Sequence, residues 1–164
     1  MTKTTYPVTP AVRVLRRHDI TFEPHIYDYQ ERGGTKHSSA SLGVDEHIII
    51  KTLVMETDGG APLIMLMHGD CEVSTQVLAR QLAVKRITPC APDKAQKLTG
   101  YMVGGTSPLG TRTALPVYAE RTIFDLQRIF INGGKRGFLV SLAPEDLKRM
   151  LEIKEVEASN QTSV

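Results

Sequence analysis

The segment Thr99-Gly100-Tyr101-Met102-Val103-Gly104-Gly105-Thr106-Ser107-Pro108-Leu109-Gly110 sets glycines and a proline around hydroxyl side chains. It is too rich in glycine for the interior of a helix or strand. Glycine lets a backbone approach a ligand closely or take φ > 0, and proline fixes the turn that follows. Successive N–H groups in such a turn form a concavity for an anion or an oxyanion. An ordinary surface loop has the same composition, so the segment alone leaves both readings open.

A lysine in an apolar run is the second candidate. Lys51 lies within Ile48-Ile49-Ile50-Lys51-Thr52-Leu53-Val54-Met55. A cation there is costly unless its ammonium reaches water, a carboxylate or a ligand. Strand alternation puts Ile49, Lys51 and Leu53 on one face and Ile50, Thr52 and Val54 on the other. Pointing into a cleft, Lys51 is a cation ready for a phosphate, a carboxylate or a developing oxyanion. Pointing outward at a strand end, it is a lysine with a buried stem and a wet head.

Other chemistry finds less support. Gly134-Lys135 is followed by Arg136, without the glycine spacing of a Walker A loop. His18, His25, His37, His47 and His68 show neither HExxH nor paired spacing, so no metal site is expected and no cofactor is implied. Cys71 and Cys90 lack CxxC spacing, and Cys90 reads as a structural thiol. Ser107 has no evident partner base and reads as a donor or turn residue. With 164 residues and a formal charge of +2, the chain is one ordinary domain without a long basic footprint. Lys85, Arg86, Lys94, Lys97, Arg112, Lys135 and Arg136 flank the candidate segments and offer weak support for an RNA partner. No run is long and apolar enough to span a bilayer, and the start of the chain lacks the apolar core of a signal peptide. A cytoplasmic protein with no membrane partner is the expectation.

These residues need elements to position them. Thr9 caps a helix that begins at Pro10 and ends at Asp19. Thr21 to Asp28 reads as an edge strand that tolerates Pro24, with Phe22, Pro24 and Ile26 opposite Glu23, His25 and Tyr27. Gln30 to Thr35 is a loop and Ser38 to Leu42 a short helix. Ile48 to Thr57 and Pro62 to His68 pair about Asp58-Gly59-Gly60. Ser74 caps a helix to Leu82, and Pro92 starts another to Leu98. Leu115 to Ala119 is a strand, and Arg128 to Asn132 pairs with Arg136 to Leu142 about Gly133-Gly134. Pro144 to Ile153 reads as an amphipathic helix, and Lys154 to Val164 as a frayed polar tail. Residues 1–153 are then one domain and 154–164 its tail. Hairpins and helices interleave without βαβ repeats, which favours an α+β domain with a mixed sheet.

Three blocks together resemble the YbaK-type aminoacyl-tRNA deacylases: Lys51-Thr52-Leu53, the long Gly100 to Gly110 segment, and Gly133-Gly134-Lys135-Arg136-Gly137. Thr9-Pro10-Ala11-Val12 and the strand ending in His25-Ile26-Tyr27 fit the same pattern, so the likeness covers roughly residues 8–153. It implies a mostly antiparallel curved sheet, closing toward a barrel, with helices around it. It implies a trans-editing hydrolase that clears mischarged aminoacyl-tRNA, with Cys-tRNA(Pro) or another small amino acid on tRNA(Pro) as substrate. Attack would come from a group of the substrate or from water, which accounts for the lack of a Ser-His-Asp or Cys-His set. Catalysis would rest on Lys51, Gly104 and Gly105. The substrate would be held by Tyr27, Thr52, Thr106, Ser107, Pro108, Asn132, Gly133 and Gly134. Partners implied are the 3′ end of aminoacyl-tRNA and prolyl-tRNA synthetase.

The chain departs from the cysteinyl-specific members. Leu139 stands where they carry an aspartate, and Asn132 where they carry a serine. The Arg32 to Lys36 loop lacks their phenylalanine. A leucine makes the pocket wall apolar and favours a small uncharged side chain. The same departures keep a second reading open: a non-catalytic module binding a nucleotide, an aminoacyl group or a protein tail in the same cleft.

Overall fold

The structure is a computed structural model that describes residues 5–161. Met1 to Thr4, and the last three positions of the expected tail, lie outside the described residues. Thr9 accepts a hydrogen bond from Val12 N and caps α1 (Pro10–Arg17), whose Ala11, Val12 and Leu15 are fully buried. Ser74 caps α3 (Thr75–Gln81) through Val77 N, and Pro92 opens α4 (Pro92–Thr99), which stops at Gly100 with φ +81°. These starts and stops follow the cap chemistry of the sequence. The remaining helices are α2 (Gly34–Leu42) and α5 (Leu147–Met150).

The largest sheet has the order β5 (Ile87–Pro89), β2 (Ile50–Thr57), β3 (Pro62–His68), β6 (Val117–Glu120), β9 (Ile153–Val156). The β3–β6 and β6–β9 pairs are parallel and the others antiparallel, as expected of a mixed sheet. A three-stranded sheet runs β1 (Glu23–Ile26), β8 (Phe138–Leu142), β7 (Ile129–Lys135), and β4 (Cys71–Val73) pairs with β10 (Ser159–Gln161). The sheets stay open among the described residues: only a parallel bridge from Ile49 to Phe130 joins the first two.

Strand alternation divides the core. Ile50, Ile64 and Leu66 pack with α1 and with Ile129, Ile131, Phe138 and Val140 of the smaller sheet. Met55, Leu63, Met65 and Met67 face the other way, onto Leu78, Ala79, Ile87 and Val156. The five-stranded sheet is thereby buried on both faces, while the smaller sheet keeps its second face for the site.

Several expected elements differ. The first strand begins at Glu23, and its faces are inverted in part: Ile26 is exposed, whereas His25 bonds Ser141 Oγ at 2.8 Å and lies on the Phe130 ring. The second helix starts early, at Gly34, and Ile48, expected to open a strand, ends the 3-10 turn Glu46–Ile48, so that β2 starts at Ile50. The β7–β8 turn is Arg136-Gly137, with Gly137 at φ +80°. Gly133 and Gly134 lie in a bulge, where a Cβ would come within 2.4 Å of the Phe138 ring and 2.8 Å of the Tyr101 ring respectively. Close packing, not the hairpin turn, requires them.

The expected C-terminal helix is shorter, a 3-10 turn at Pro144–Asp146 followed by α5. Ile153 lies in β9, and the segment from Lys154, expected to fray, is paired in strands through Gln161. An open edge of β6 is the reason: a strand with Ile153 and Val156 covers it. Glu120, buried, accepts from Ala158 N at 2.7 Å and fixes the chain between β9 and β10.

Candidate functional site

A cavity of about 640 Å³ opens where the second face of the smaller sheet meets an incomplete edge of β2. One edge of β2 is paired with β3 throughout. The other bridges β7 at Ile49 and pairs with β5 only at Met55–Thr57, with Cys90 N reaching Val54 O. The stretch between faces the cavity, and residues 49–55 all line it. Asn132 and Leu139 come from the smaller sheet, Tyr27 from just beyond β1, Cys90 and Ala95 from β5–α4, and Val103, Gly104 and Thr106 from the glycine segment.

Lys51 lines this cavity with its side chain 19% exposed. Its Nζ donates to Cys71 O at 2.5 Å and lies 3.7 Å from the exposed carboxylate of Glu72. An ammonium has three donors, so this anchor leaves capacity for a ligand. Thr52 lines the cavity too, and its Oγ1 is the buried side-chain polar atom without a hydrogen-bond partner among the described residues. A buried hydroxyl left unpaired costs about 1–3 kcal/mol. Such a group at a cavity wall is suited to a polar ligand atom.

The glycine loop is held from the β7–β8 hairpin. Asn132 Nδ2 donates to Gly104 O at 3.0 Å, while its Oδ1 accepts from Gly134 N and Lys135 N. Arg136 Nε donates to Val103 O at 2.8 Å, and its guanidinium lies 5.1 Å over the Tyr29 ring. Gly104 has φ +89°, and a Cβ there would be 2.5 Å from Tyr29 Oη. The loop is thus a shaped wall, its carbonyls fixed by side chains, with Met102 and Val103 exposed at the rim.

The structure therefore brings Tyr27, Lys51, Thr52, Gly104, Thr106 and Asn132 to one cavity. Gly105, Ser107, Pro108 and Gly133 lie beneath it, buried, and Gly134 packs against Tyr101 and Thr9. The Gly105 N–H donates to Met102 O at 2.8 Å, and Ser107 Oγ accepts from Leu109 N at 3.1 Å. Tyr29 and Arg136 emerge as the unexpected members. Tyr29 sits in an aperiodic loop with no sequence signal, and Arg136 read only as part of a basic flank.

Leu139 lies in the floor with Ile49 and Phe130, opposite Asn132 and His25 in strand register. Burial raises the Tyr27 pKa and keeps the phenol neutral; His37 sits beside it, ring centroids 5.9 Å apart. Burial, then the charge of Glu56, raises the Cys90 pKa, so this cavity-lining thiol is not a ready thiolate. His25 supports the sheet beneath the site and does not line it.

The model of the aminoacyl-tRNA editing domain family matches residues 33–150. The chain belongs to this family. Membership makes the chain an aminoacyl-tRNA editing domain and bears out the resemblance carried by the lysine and glycine motifs. Among curated relatives, a candidate Cys-tRNA(Pro)/Cys-tRNA(Cys) deacylase, EbsC of Enterococcus faecalis, is 29% identical over 87% of this chain and 88% of its own. A proline–tRNA ligase of Streptococcus suis is 28% identical over 61% of this chain but only 16% of the ligase. A ligase of Moorella thermoacetica is 31% identical over 71% of this chain and 21% of its own. The matched region is thus a small part of those synthetases' length.

Two solved structures share the fold at 19% identity. The hypothetical protein APE2540 superposes with a TM-score of 0.83 over 92% of this chain and 99% of the other. A candidate trans-editing enzyme for prolyl-tRNA synthetase does so with a TM-score of 0.80, over 96% and 99%. Among the described residues, no helix of the editing domain is long and apolar enough to cross a membrane.

Proposed function

We propose that this editing domain hydrolyses the ester of tRNA(Pro) mischarged with a small uncharged amino acid, cysteine or one of similar size. The observation that carries the reading is Lys51, a cation with donor capacity to spare, in a cavity that Thr52 also lines and the fixed Gly104 loop closes. The relatives named for tRNA(Pro) or for proline–tRNA ligation support the choice of tRNA.

An aminoacyl ester has a reactive carbonyl, so positioning and charge stabilisation account for most of the catalysis. Water attacks the carbonyl carbon, the bond to the ribose oxygen breaks, and that oxygen takes the proton the water gives up. Lys51 faces the negative charge that develops on the carbonyl oxygen, and the Thr52 hydroxyl, on the other face of the strand, is open to a second polar atom of the substrate. Gly104 lets the loop approach the ester, Tyr27 and Thr106 border the aminoacyl group, and Asn132 keeps the loop in place. Gly105, Ser107, Pro108, Gly133 and Gly134 support this wall from beneath. Leu139 gives the amino-acid side chain an apolar floor. It neither accepts a proton nor holds an ammonium, which favours small uncharged residues over charged ones.

A synthetase pocket separates amino acids that differ by a methylene by only about 1–3 kcal/mol, which gives a second sieve its value. The domain would act in the cytoplasm beside prolyl-tRNA synthetase, which selects the tRNA body. Deacylation of mischarged tRNA(Pro) that disappears in Lys51→Ala is the expected result. Ligand binding without turnover in the unmodified protein would favour the non-catalytic module instead.

A further inference from the structure

Outside the editing cavity, the turn between β3 and β4 brings a histidine, a carboxylate and a thiol together. His47 Nδ1 lies 2.8 Å from Asp70 Oδ1, and Cys71 Sγ lies 3.4 Å from the same oxygen. All three ligand atoms fall within 4.8 Å of one another. Around a tetrahedral ion with bonds of about 2.0–2.3 Å to nitrogen, oxygen and sulfur, such atoms stand roughly 3.3–3.6 Å apart. Small side-chain rotations reach that spacing.

The surroundings fix the group. Gly69 N donates to Ile49 O at 2.7 Å, and a Cβ at Gly69 would be 2.6 Å from Glu46 O, so the turn lies directly on the His47 segment. The His47 ring stacks on His68, centroids 3.8 Å apart, while His68 Nδ1 donates to the His47 carbonyl at 2.9 Å. His68 Nε2 in turn meets Thr122 Oγ1 at 2.7 Å. The stacked His68 ring, itself held by the His47 carbonyl and Thr122, fixes the plane of the His47 imidazole. Asp70 and His47 are partly open to solvent, which supplies an entry path, while Cys71 is nearly covered.

We propose that His47, Asp70 and Cys71 form a binding site for a zinc-class divalent ion, with water as the fourth ligand. Binding releases the Cys71 thiol proton to solvent and replaces the hydrogen bonds of His47 and Cys71 to Asp70 with bonds to the ion. Nitrogen, oxygen and sulfur donors suit Zn²⁺ and Co²⁺ better than Mg²⁺ or Ca²⁺. The site shares a wall with the editing cavity, because the Cys71 carbonyl is the acceptor that holds Lys51. It does not depend on which aminoacyl-tRNA the domain cleaves.

The test is titration of the metal-free full chain with Co²⁺, read by absorption, and with Zn²⁺, read by equilibrium dialysis and metal analysis. One ion per chain is expected, with a thiolate-to-cobalt charge-transfer band. Cys71→Ser should abolish the band, and His47→Ala and the conservative Asp70→Asn should each weaken Zn²⁺ binding at least tenfold. Cys90→Ser should leave both readouts unchanged. Thermal unfolding of each metal-free variant checks that it folds, and if Cys71→Ser does not, the Cys90→Ser and Asp70→Asn readouts decide. Binding well below one ion per chain overturns the proposal. So does a band that survives Cys71→Ser or vanishes in Cys90→Ser, or Zn²⁺ affinity unaltered in folded His47→Ala and Asp70→Asn.

Discussion

Lys51 and Thr52 are neighbours on one strand, yet one side chain has its partner within the protein and the other waits for one. Thr52→Val keeps the shape and removes the unpaired hydroxyl. Its expected outcome is stability equal to or greater than the unmodified protein in chemical unfolding, together with deacylation reduced about tenfold or more. Lost stability and retained activity would show the hydroxyl to be structural. His25 offers a separate prediction. Burial first, and then the charge of Arg128, lowers its pKa below the ordinary histidine value. Above pH about 6.5 the ring is neutral in both folded and unfolded chains, and its contribution to stability is complete. As pH falls below that value the unfolded chain takes up the proton first, and the contribution is lost toward the folded-state pKa. The stability difference between the unmodified protein and His25→Gln should therefore widen as pH rises from 5 to 7, measured by denaturant unfolding. A difference independent of pH would contradict the burial argument.

At the scale of elements, the glycine loop depends on the hairpin that holds it. Arg136→Ala removes the bond to Val103 O and the contact with Tyr29, and should lower kcat/KM several-fold with little change in unfolding temperature. Arg136→Lys keeps the charge but not the fork of donors, so it should recover only part of the loss. Full activity in Arg136→Ala would show the loop to be held without it. Gly133→Ala should instead destabilise the fold by about 1–3 kcal/mol in denaturant unfolding, since a methyl there meets the Phe138 ring.

The cap residues Thr9, Ser74 and Pro92 made the helix starts legible in the sequence, because each acts within one turn of itself. The hairpin about Gly133-Gly134 was misplaced because a glycine needed for packing and one needed for a turn look alike in one dimension. The faces of the first strand were misread for a related reason: His25 is satisfied by Ser141, a partner 116 positions away. Lys51 and Gly104 could be picked out as residue types in unusual settings. Tyr29 could not, since its role is the space it fills beside Gly104.

The whole molecule is completed by its C-terminal strands. The polar composition after Ile153 suggested a tail, but β9 covers the edge of β6, β10 pairs with β4, and Ala158 is 2% exposed. Deleting the chain after Glu152 should lower the unfolding temperature by about 10 °C or more, through loss of a sheet edge and of the Glu120 contact. An unchanged unfolding temperature would show these strands to be dispensable. The same completed scaffold keeps Lys51, Thr52 and the Gly104 loop at one cavity, and editing is the function proposed for that arrangement. Its most direct test is deacylation of alanyl-, cysteinyl-, seryl- and threonyl-tRNA(Pro), with Lys51→Ala as the control. The account predicts cleavage of one or more of these by the unmodified protein and none by the variant. No cleavage of any, with tRNA and prolyl-tRNA synthetase both present, or cleavage undiminished by Lys51→Ala, would contradict it.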